Sequence, residues 1–474
     1  MAASRTSIET ELPFDLNVGE VLEHWTVAFA IRELIANALD ESLITGTADP
    51  TITKDPDGRW RIRDFGRGIE YHHLTQNESP EKRRHPGVIG QFGMGLKDAL
   101  GVFDRRHVRV EIRSPHGDIT THRRSKDQFD DVVTLHALVG PSSDPTFVGT
   151  EVILDGVSDD DIDTAKSYFL RYSNDEILET TPSGDVLASP AASASARVYV
   201  KGLLVAEEPN FLFSYNITNL TAPLRRALNR ERTNVGRGAY TDRVKAILTA
   251  CESSTVATTL TKDLTAFSSG KQHDELAWRD VALHACRVLA THEDVLFITA
   301  KQLEHGTPQI EYAKAEGYRL VVVPDDIARR LASLTNLNGE PLVDLGAYRK
   351  RWNDSFEFSF VSRDDLTEAE RQWYDLTPTA IELAGGAPAA VAEILVSETM
   401  RLDSGGFSVV GVWEPQHQRI VIRRDQLASP RTYFGTLLHE LTHARSGETD
   451  GTLAFEEALT SLIGALADRL MTSS

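Results

Sequence analysis

The segment EHWTVAFAIRELIANALDES, residues 23–42, constrains the fold more than any other stretch of this sequence. Apolar residues recur in it at the spacing of one helix face: Ala28, Ile31, Ile35 and Ala38. Glu33, Asn37 and Asp40 lie at i, i+4 and i+7, so they form one polar stripe on the same helix. A solvated face would explain three polar residues, but the helix is otherwise mostly apolar around them. We therefore expect the stripe to line a buried cleft.

Two glycine-containing segments follow this helix. The first, RDFGRGIE, comes directly after the alternating strand RWRIRD and contains Asp64, Gly66 and Gly68. The second, GVIGQFGMGLKDAL, leads into a helix and contains Gly90, Gly93 and Gly95. Glycines at such a position let backbone N–H groups approach a phosphate, and a helix N-terminus favours negative charge. Each segment alone is also compatible with an ordinary turn.

In this order and spacing, the motifs of residues 15–156 resemble the GHKL ATPase family. That family includes gyrase, mismatch-repair ATPases, histidine kinases and the large ATP-dependent heat-shock chaperone, and the chaperone and mismatch-repair branch is the most similar. The resemblance implies that Asn37 coordinates Mg²⁺ and that Glu33 activates the attacking water. It implies that Asp64 accepts from the adenine amino group and that Thr150, in VGTEVIL, lies near the adenine. The other residues that it places at the nucleotide are Asp40, Gly66, Gly68, Gly90, Gly93 and Gly95.

The region after the ATPase-like motifs resembles the transducer segment of the same family. Phosphoryl transfer gains from a cation at the γ-phosphate. The segment ALNRERTNVGR is similar to the arginine-bearing loop of the chaperone, which makes Arg230 or Arg232 the candidate. Lys201, in YVKGLL, is the rival. Surface cations without a catalytic role explain any one of these residues as well.

A second motif lies near the C-terminus, in the segment TLLHELTHARSGETDGTLAFEEAL. On a helix, His439 and His443 share a face one turn apart and can hold one metal ion. Glu440 stands beside them, where a general base is needed. The surrounding residues are uncharged and contain no proline, which favours a helix. A motif this short also arises by chance, in roughly 3% of chains of this composition.

A zinc site needs a third protein ligand. We predict Glu456, because it shares a helical stripe with Thr452, Leu459 and Ile463. Glu457 lies on a less apolar face, and Asp450 is an alternative soon after the second histidine. The metzincin spacing is off by one residue, because it places Thr449 at the ligand position.

Residues 390–474 accordingly resemble the gluzincin class of zinc peptidases in a small form. The resemblance implies peptide-bond hydrolysis with His439, His443 and Glu456 on zinc and Glu440 as the base. The strand RIVIRRDQL, just before the helix, is predicted to be the edge strand that aligns an extended peptide.

The predicted fold class is α+β with four domains. We expect a GHKL ATP-binding domain of the Bergerat α/β sandwich type over residues 8–156 and a transducer-like α+β domain over 157–265. A mixed α/β region follows over 266–375, and a mostly helical zincin-like domain with a short hairpin covers 376–474. The stretches RVYVKGLLV, DVLFITA and GYRLVVVP are predicted strands, whereas TPSGDVLASPAASASAR is predicted to be a loop.

Composition limits the partners that we expect. The chain has 474 residues with 50 Lys and Arg against 70 Asp and Glu, a formal charge of −20, which argues against general nucleic-acid binding. Two cysteines cannot build a disulfide framework. The N-terminal segment has no apolar run of the kind found in signal peptides, and no stretch is long enough to span a membrane. We therefore expect a cytoplasmic protein.

The two motifs together predict an ATP-switched zinc metalloprotease that uses ATP, Mg²⁺ and Zn²⁺. Its partner is expected to be a protein or peptide substrate, with an ATP-dependent homodimer as a further possibility. The alternative is a chaperone-like ATPase whose zinc domain is structural or grips polypeptides without cleaving them. A signalling or defence component that acts on one partner protein is a third hypothesis, which the sequence does not separate from the first.

Overall fold

The computed structural model describes residues 12–16, 23–75, 82, 85, 87–90, 95–126, 129–188, 195–228, 235–266, 272–305 and 308–472. The predicted α+β class is confirmed, because helices and largely antiparallel sheets alternate along the chain. Contacts divide the chain into two compact units. The first comprises Met1–Asp263 and Lys271–Ala285, and the second comprises Leu264–Gly270 and Cys286–Ser474. The finer boundaries predicted from the sequence stay predictions.

The first unit contains a sheet in which the described residues form seven strands. These are β1 (Leu12–Asp15), β2 (Thr51–Lys54), β3 (Trp60–Arg63), β4 (Arg109–Arg113), β5 (Asp118–Lys126), β6 (Phe129–Gly140) and β7 (Glu151–Asp155). Their order is β1-β6-β5-β4-β7-β3-β2, and every neighbouring pair is antiparallel. The alternating segments RWRIRD and HVRVEIRS are therefore strands, as predicted.

Helices pack against this sheet and bury its apolar side chains in one core. They are α1 (Val27–Thr45), α2 (His72–Thr75), α3 (Gly95–Arg105) and α4 (Asp159–Ser167). The side chain of Thr26 caps the start of α1, and Gly46 ends the helix in the left-handed conformation. The long helix predicted from residues 23–42 is therefore present, with its polar stripe between the core and a cleft.

A second sheet in the first unit has five strands within the described ranges. They are β8 (Ile177–Thr181), β9 (Gly184–Leu187), β10 (Ala196–Val200), β11 (Leu203–Glu208) and β12 (Ser214–Ile217), in the order β11-β10-β12-β9-β8. The helices that follow are α5 (Ala222–Ala227), α6 (Thr241–Leu248), α7 (Ser254–Thr265) and α8 (Arg279–His292).

Two local predictions in this region are wrong. The stretch RVYVKGLLV is a hairpin and not one strand, because Lys201 and Gly202 adopt φ values of 50° and 79° and turn the chain between β10 and β11. The stretch predicted to be a loop around residue 185 contains β9, because Gly184–Leu187 pairs with both β8 and β12. In both places tertiary pairing outweighs the local composition.

The second unit begins with a small parallel sheet. Its described strands are β13 (Val295–Ile298), β14 (Arg319–Val322) and β15 (Val343–Asp344), in the order β14-β13-β15. The helices around it are α9 (Ala300–His305), α10 (Pro308–Ala315), α11 (Asp325–Leu331) and α12 (Leu345–Asp354). The apolar runs DVLFITA and GYRLVVVP are thus strands, as predicted.

The C-terminal part of the second unit packs a four-stranded sheet of described residues against a helix. The strands are β16 (Phe360–Val361), β17 (Glu393–Ser397), β18 (Gly411–Glu414) and β19 (Arg419–Arg423), in the order β16-β17-β19-β18. The helices are α13 (Glu368–Tyr374), α14 (Thr377–Leu383), α15 (Pro430–Ser446) and α16 (Leu453–Thr472). Apolar residues of α15 and β19 share one core. No helix in the described ranges has the length and apolar composition needed to cross a bilayer.

Candidate functional sites

The first candidate site is a cleft beside α1, lined by residues from the helix and from the sheet beneath it. Its volume is about 170 Å³. Apolar walls surround a few polar groups: Leu34, Asn37, Ala38, Glu41, Ile44, Ile62, Asp64, Arg67, Gly68, Ile69, His73, Lys82, Gly95, Leu96, Ile112, Thr150 and Val152. Most of the residues predicted at the nucleotide line this cleft or neighbour its walls. Gly93, Arg230 and Arg232 lie outside the described residues.

Asp64 enters the cleft from the end of β3. Its carboxylate accepts the backbone N–H of Gly66 at 2.9 Å and of Thr150 at 3.2 Å. Only glycine fits at position 149, where a Cβ would lie 2.0 Å from the Asp64 carbonyl oxygen. Burial raises the pKa of Asp64, although the two backbone N–H groups oppose the shift. The structure therefore brings together two residues that the sequence analysis placed at the adenine, Asp64 and Thr150.

Glu33 is buried and held by its neighbour in sequence. Arg32 donates from Nη2 to Glu33 Oε1 at 2.8 Å, and neither side chain is more than 3% exposed. A Cβ on Gly95 would lie 2.3 Å from Glu33 Oε2, so a side chain at position 95 would force the Glu33 carboxylate to move. This arrangement holds the Glu33 carboxylate against Gly95, which lines the cleft.

Arg32 is a site residue that the sequence analysis missed. Its guanidinium lies 4.8 Å from the Phe29 ring centroid and 5.6 Å from those of Trp25 and Tyr168. Aromatic faces stabilise a cation that is removed from water. An arginine placed among aromatic residues on the helix, directly before the predicted base, is the signal that could have indicated this cage.

Asp40 anchors the segment that precedes α3. Its carboxylate accepts the backbone N–H of Ile89 at 2.7 Å and of Gly90 at 2.8 Å. The Gly90 N–H is thus directed at Asp40 and not at the open cleft. Lys82 donates to Asn37 Oδ1 at 3.0 Å and approaches Asp40 Oδ2 at 3.4 Å. An ammonium group therefore lies at the oxygen that the sequence analysis assigned to Mg²⁺.

Lys201 also reaches the same region. It lies in the turn between β10 and β11, and its Nζ donates to the Val88 carbonyl oxygen at 3.1 Å. Burial lowers the pKa of this lysine. Of the three cations predicted for the γ-phosphate, Lys201 is the one whose position the structure describes.

The second candidate site is a group of side chains on α15 and in the turn after it. His439 Nε2 and His443 Nε2 are 3.1 Å apart, and Asp450 Oδ1 lies 3.0 Å from the first and 3.3 Å from the second. Within the described residues, these three side chains form the group able to hold a metal ion. The Asp450 side chain is 71% exposed, so the group is open to solvent on that side.

The turn after α15 places Asp450 beside the histidines. Gly447 ends the helix in the left-handed conformation, and Gly451 adopts φ 75° directly after Asp450. His443 Nδ1 lies 2.7 Å from the Glu448 carbonyl oxygen. When Nδ1 carries the proton and donates it there, the Nε2 lone pair is directed at the shared point.

Glu456 does not face this group, and the prediction that it points inward is wrong. It is exposed, as are Glu457 and Ile463. The inward face of α16 carries Phe455, which stacks on His443 at 4.2 Å. Because neighbouring residues on a helix point about 100° apart, burying Phe455 turns Glu456 away. Asp450, the alternative, occupies the place predicted for Glu456.

Glu440 lies on the buried face of α15. A Cβ on Gly411 would lie 3.0 Å from Glu440 Oε1, so β18 approaches the carboxylate closely. Burial raises the pKa of Glu440 to about 7, against the opposing effects of His443 and the backbone N–H of Trp413. A carboxyl group with this pKa exchanges protons near neutral pH.

The strand beside Glu440 differs from the prediction. The segment RIVIRRDQL forms β19, which is paired on both sides, by β17 and by β18. The edge strand next to α15 is β18, Gly411–Glu414. The prediction of β19 as the edge strand is wrong because a strand adjacent in sequence to the helix need not be the last one in the sheet.

The fold and the two sites define an α+β protein with a partly apolar cleft in one unit and a histidine–aspartate group in the other. The chain is 35% identical over 238 residues to an uncharacterized protein of Mycoplasma pneumoniae. The aligned residues cover 49% of this chain and 95% of that protein. It belongs to the family of that protein.

A second uncharacterized protein of Mycoplasma pneumoniae is 23% identical over 341 residues, or 68% of this chain and 96% of the relative. The family model described as the Mycoplasma pneumoniae MPN635 N-terminal domain matches residues 160–254. These residues contain the five-stranded sheet and Lys201. The matches place the chain among relatives and assign no activity to it.

Proposed function

We propose that the chain is an ATP-binding switch protein of the GHKL type that controls a C-terminal zinc-dependent endopeptidase. The observation that carries the proposal is the convergence of His439, His443 and Asp450 on one point, with the carboxylate of Glu440 beside them. The substrate would be a protein partner.

The donor set fits a zinc ion. Ligands about 2.0–2.1 Å from a tetrahedral ion lie roughly 3.3–3.4 Å from one another. The three distances among His439 Nε2, His443 Nε2 and Asp450 Oδ1 are 3.0, 3.1 and 3.3 Å. The contact of His443 Nδ1 with the Glu448 carbonyl oxygen is the outer-shell contact that ligating histidines usually make. Two imidazoles and one carboxylate therefore leave a fourth position for water or substrate.

Each residue at this site has a role in the proposed hydrolysis. A bound zinc ion would supply a Lewis acid that polarises the scissile carbonyl. Glu440, buried on the same helix as the two histidines, would take a proton from the attacking water and deliver it to the leaving amine. The outer edge of β18, which pairs with no strand among the described residues, would align the substrate backbone by β-augmentation.

Residues of the N-terminal cleft support the proposal of a magnesium nucleotide as its ligand. The Asn37 side-chain oxygen already accepts from a cation, the ammonium of Lys82. Asp64 is buried between apolar walls, where a carboxylate can accept from a purine amino group. Glu33 would orient water toward the γ-phosphate, and Arg32 would hold its carboxylate in place. Among the described residues, Lys201 is the cation that we propose to contact the γ-phosphate.

A second function is favoured by one specific observation. Asp450 lies in the turn that joins α15 to α16, so a metal ion there would also tie the two helices together. The metal group would then be structural, in a chaperone-like ATPase that binds polypeptides without cleaving them. Retained zinc with no cleavage of any partner would favour this alternative.

The test combines metal analysis, ATP turnover and cleavage of candidate partner proteins, each with and without ATP. The proposal expects one zinc ion per chain, and cleavage that changes when ATP is added. Asn37→Ala, in the other unit, should alter cleavage of the true substrate. Cleavage that ignores both ATP and Asn37→Ala would contradict the switch, and purified protein without stoichiometric zinc would contradict the peptidase.

A further inference from the structure

A third cleft lies in the parallel sheet of the second unit. The chain runs from β13 to β14 on one side of β13 and then returns to place β15 on the other side. This change of direction creates a crevice at the carboxyl ends of β13 and β15. In open α/β sheets, ligands bind at such a switch point.

The structure has a cleft at this position, with a volume of about 540 Å³. That volume lies within the range of about 300–1,000 Å³ for small-molecule sites. Buried apolar side chains form its floor: Phe297, Leu331 and Leu342. Polar side chains form its rim: Thr299, Gln302, Asp325, Arg329 and Asp344. None of these residues belongs to either of the two sites described above.

The rim is held in shape by its own hydrogen bonds. The backbone N–H of Thr299 donates to Gln302 Oε1 at 2.8 Å, and the backbone N–H of Gln302 donates to Thr299 Oγ1 at 3.2 Å. One oxygen of Asp344 caps α12 by accepting the backbone N–H of Ala347 at 2.7 Å. Its other oxygen has no hydrogen-bond partner among the residues that the structure describes. The carboxylate is therefore both fixed in position and able to accept from a ligand.

Arg329 presents a charge at the same rim. Its Nε donates to the Asp325 carbonyl oxygen at 3.2 Å, within its own helix. The structure shows no carboxylate within ion-pair distance of this guanidinium in the ranges that it describes. An arginine with free terminal N–H groups is suited to bidentate binding of a phosphate.

We propose that this cleft binds a nucleoside monophosphate. Arg329 binds the phosphate, Asp344 accepts from the ribose hydroxyl groups, and the apolar floor contacts the base. A free mononucleotide is favoured over a nucleic-acid end, because Asp325 and Asp344 on the rim and a formal charge of −20 repel a polyanion. This site goes beyond the proposed ATPase and peptidase and does not depend on them.

The test is calorimetric titration of the full chain with each of the four ribonucleoside monophosphates and their nucleosides. At least one monophosphate should bind with a Kd below about 1 mM. Arg329→Gln should weaken that binding about tenfold or more and leave binding of the parent nucleoside unchanged. Asp344→Asn should weaken both, because asparagine still caps α12 but lacks the anionic oxygen.

One further variant locates the ligand. Arg330→Gln changes the next, exposed residue of the same helix, which is not part of the cleft, and should leave binding unchanged. Binding retained in full in Arg329→Gln, or no binding of any monophosphate, would overturn the proposal. Tighter, Arg329-dependent binding of a single-stranded oligonucleotide would overturn the free-nucleotide assignment.

Discussion

The two candidate sites differ in how the chain builds them. The N-terminal site joins side chains far apart in sequence, such as Glu33, Asp64 and Thr150. Both of its carboxylates, Glu33 and Asp64, are buried. The C-terminal group lies on one helix and the following turn, and its Asp450 is largely exposed. Buried carboxylates must be held by dedicated partners, as Arg32 holds Glu33, whereas an open group of ligands can wait for its ion. The first site therefore depends on the fold, and the second depends mainly on helix spacing.

The largest effect should come from the residue that separates catalysis from metal binding. Glu440→Gln removes the proposed base but no ligand, so cleavage should fall by about 10²–10⁴-fold while the zinc content stays the same. The measurement is kcat/KM for a cleaved partner protein together with the metal stoichiometry. Glu456→Gln, on the exposed face of α16, is the matched control and should keep full activity. Wild-type cleavage by Glu440→Gln would remove Glu440 from the mechanism.

The next effect concerns the third ligand. Asp450→Ala should reduce zinc affinity by more than the roughly 10–100-fold cost of losing an outer-shell partner, because Asp450 Oδ1 lies within 3.3 Å of both imidazoles. Glu456→Ala and Glu457→Ala should bind zinc as the unchanged chain does. Competition with a zinc chelator measures all three affinities. If Glu456→Ala loses zinc and Asp450→Ala keeps it, α16 must rotate when the ion binds, and the assignment of Asp450 as a ligand is wrong.

These two predictions show how far the sequence alone could predict the sites. His439, Glu440 and His443 follow from helix periodicity, which is a local property, and the structure places them as expected. Glu456 was misplaced because its orientation depends on which residue of α16 is buried, and Phe455 takes that place by stacking on His443. No count of residues along the chain contains this information, because it depends on packing between two helices.

The same limit applies to the N-terminal cleft and to the fold. The order of the motifs predicted a cleft beside α1, and Asp64 and Thr150 do meet there. The hydrogen bonds from the segment before α3 to Asp40, and the position of Lys82 at Asn37, come from tertiary contacts between distant residues. Strand existence followed from alternation, but the hairpin at Lys201 required two residues in the left-handed conformation.

A buried carboxyl group outside both sites predicts that the stability of the first unit depends on pH. Glu275 is fully buried and accepts the Leu212 and Phe213 backbone N–H groups and the Tyr215 hydroxyl through Oε1. Its Oε2 is buried without a hydrogen-bond partner among the described residues. Burial raises the pKa of this carboxyl from 4.5 to about 7. The folded chain therefore keeps a proton that the unfolded chain releases between these two values.

The sign follows from linkage. Because the folded state binds more protons in this window, the free energy of unfolding falls as pH rises from about 4.5 to about 7, by about 3 kcal/mol for this group. Above that window its contribution no longer changes. Urea unfolding at about pH 5 and about pH 8 measures the difference. Glu275→Gln keeps the acceptor oxygen and should lose this part of the dependence. An identical pH dependence in both proteins would show that Glu275 does not titrate in this window.

The smallest effect tests what the N-terminal cleft recognises. Asp64→Asn keeps the size of the side chain and one acceptor oxygen for Gly66 and Thr150, so the fold should persist. It removes the anionic acceptor for a purine amino group, and a hydrogen bond to a charged group contributes about 1.5–3 kcal/mol, so ATP affinity should fall about 10–150-fold. Titration with magnesium ATP measures this change. Glu41→Gln, which alters an ion pair with Arg67 on the cleft wall, is the control and should change affinity less. Equal ATP affinity in Asp64→Asn and the unchanged chain would mean that the buried carboxylate only holds the backbone of Gly66 and Thr150. Its burial would then serve the fold and not the recognition of a ligand.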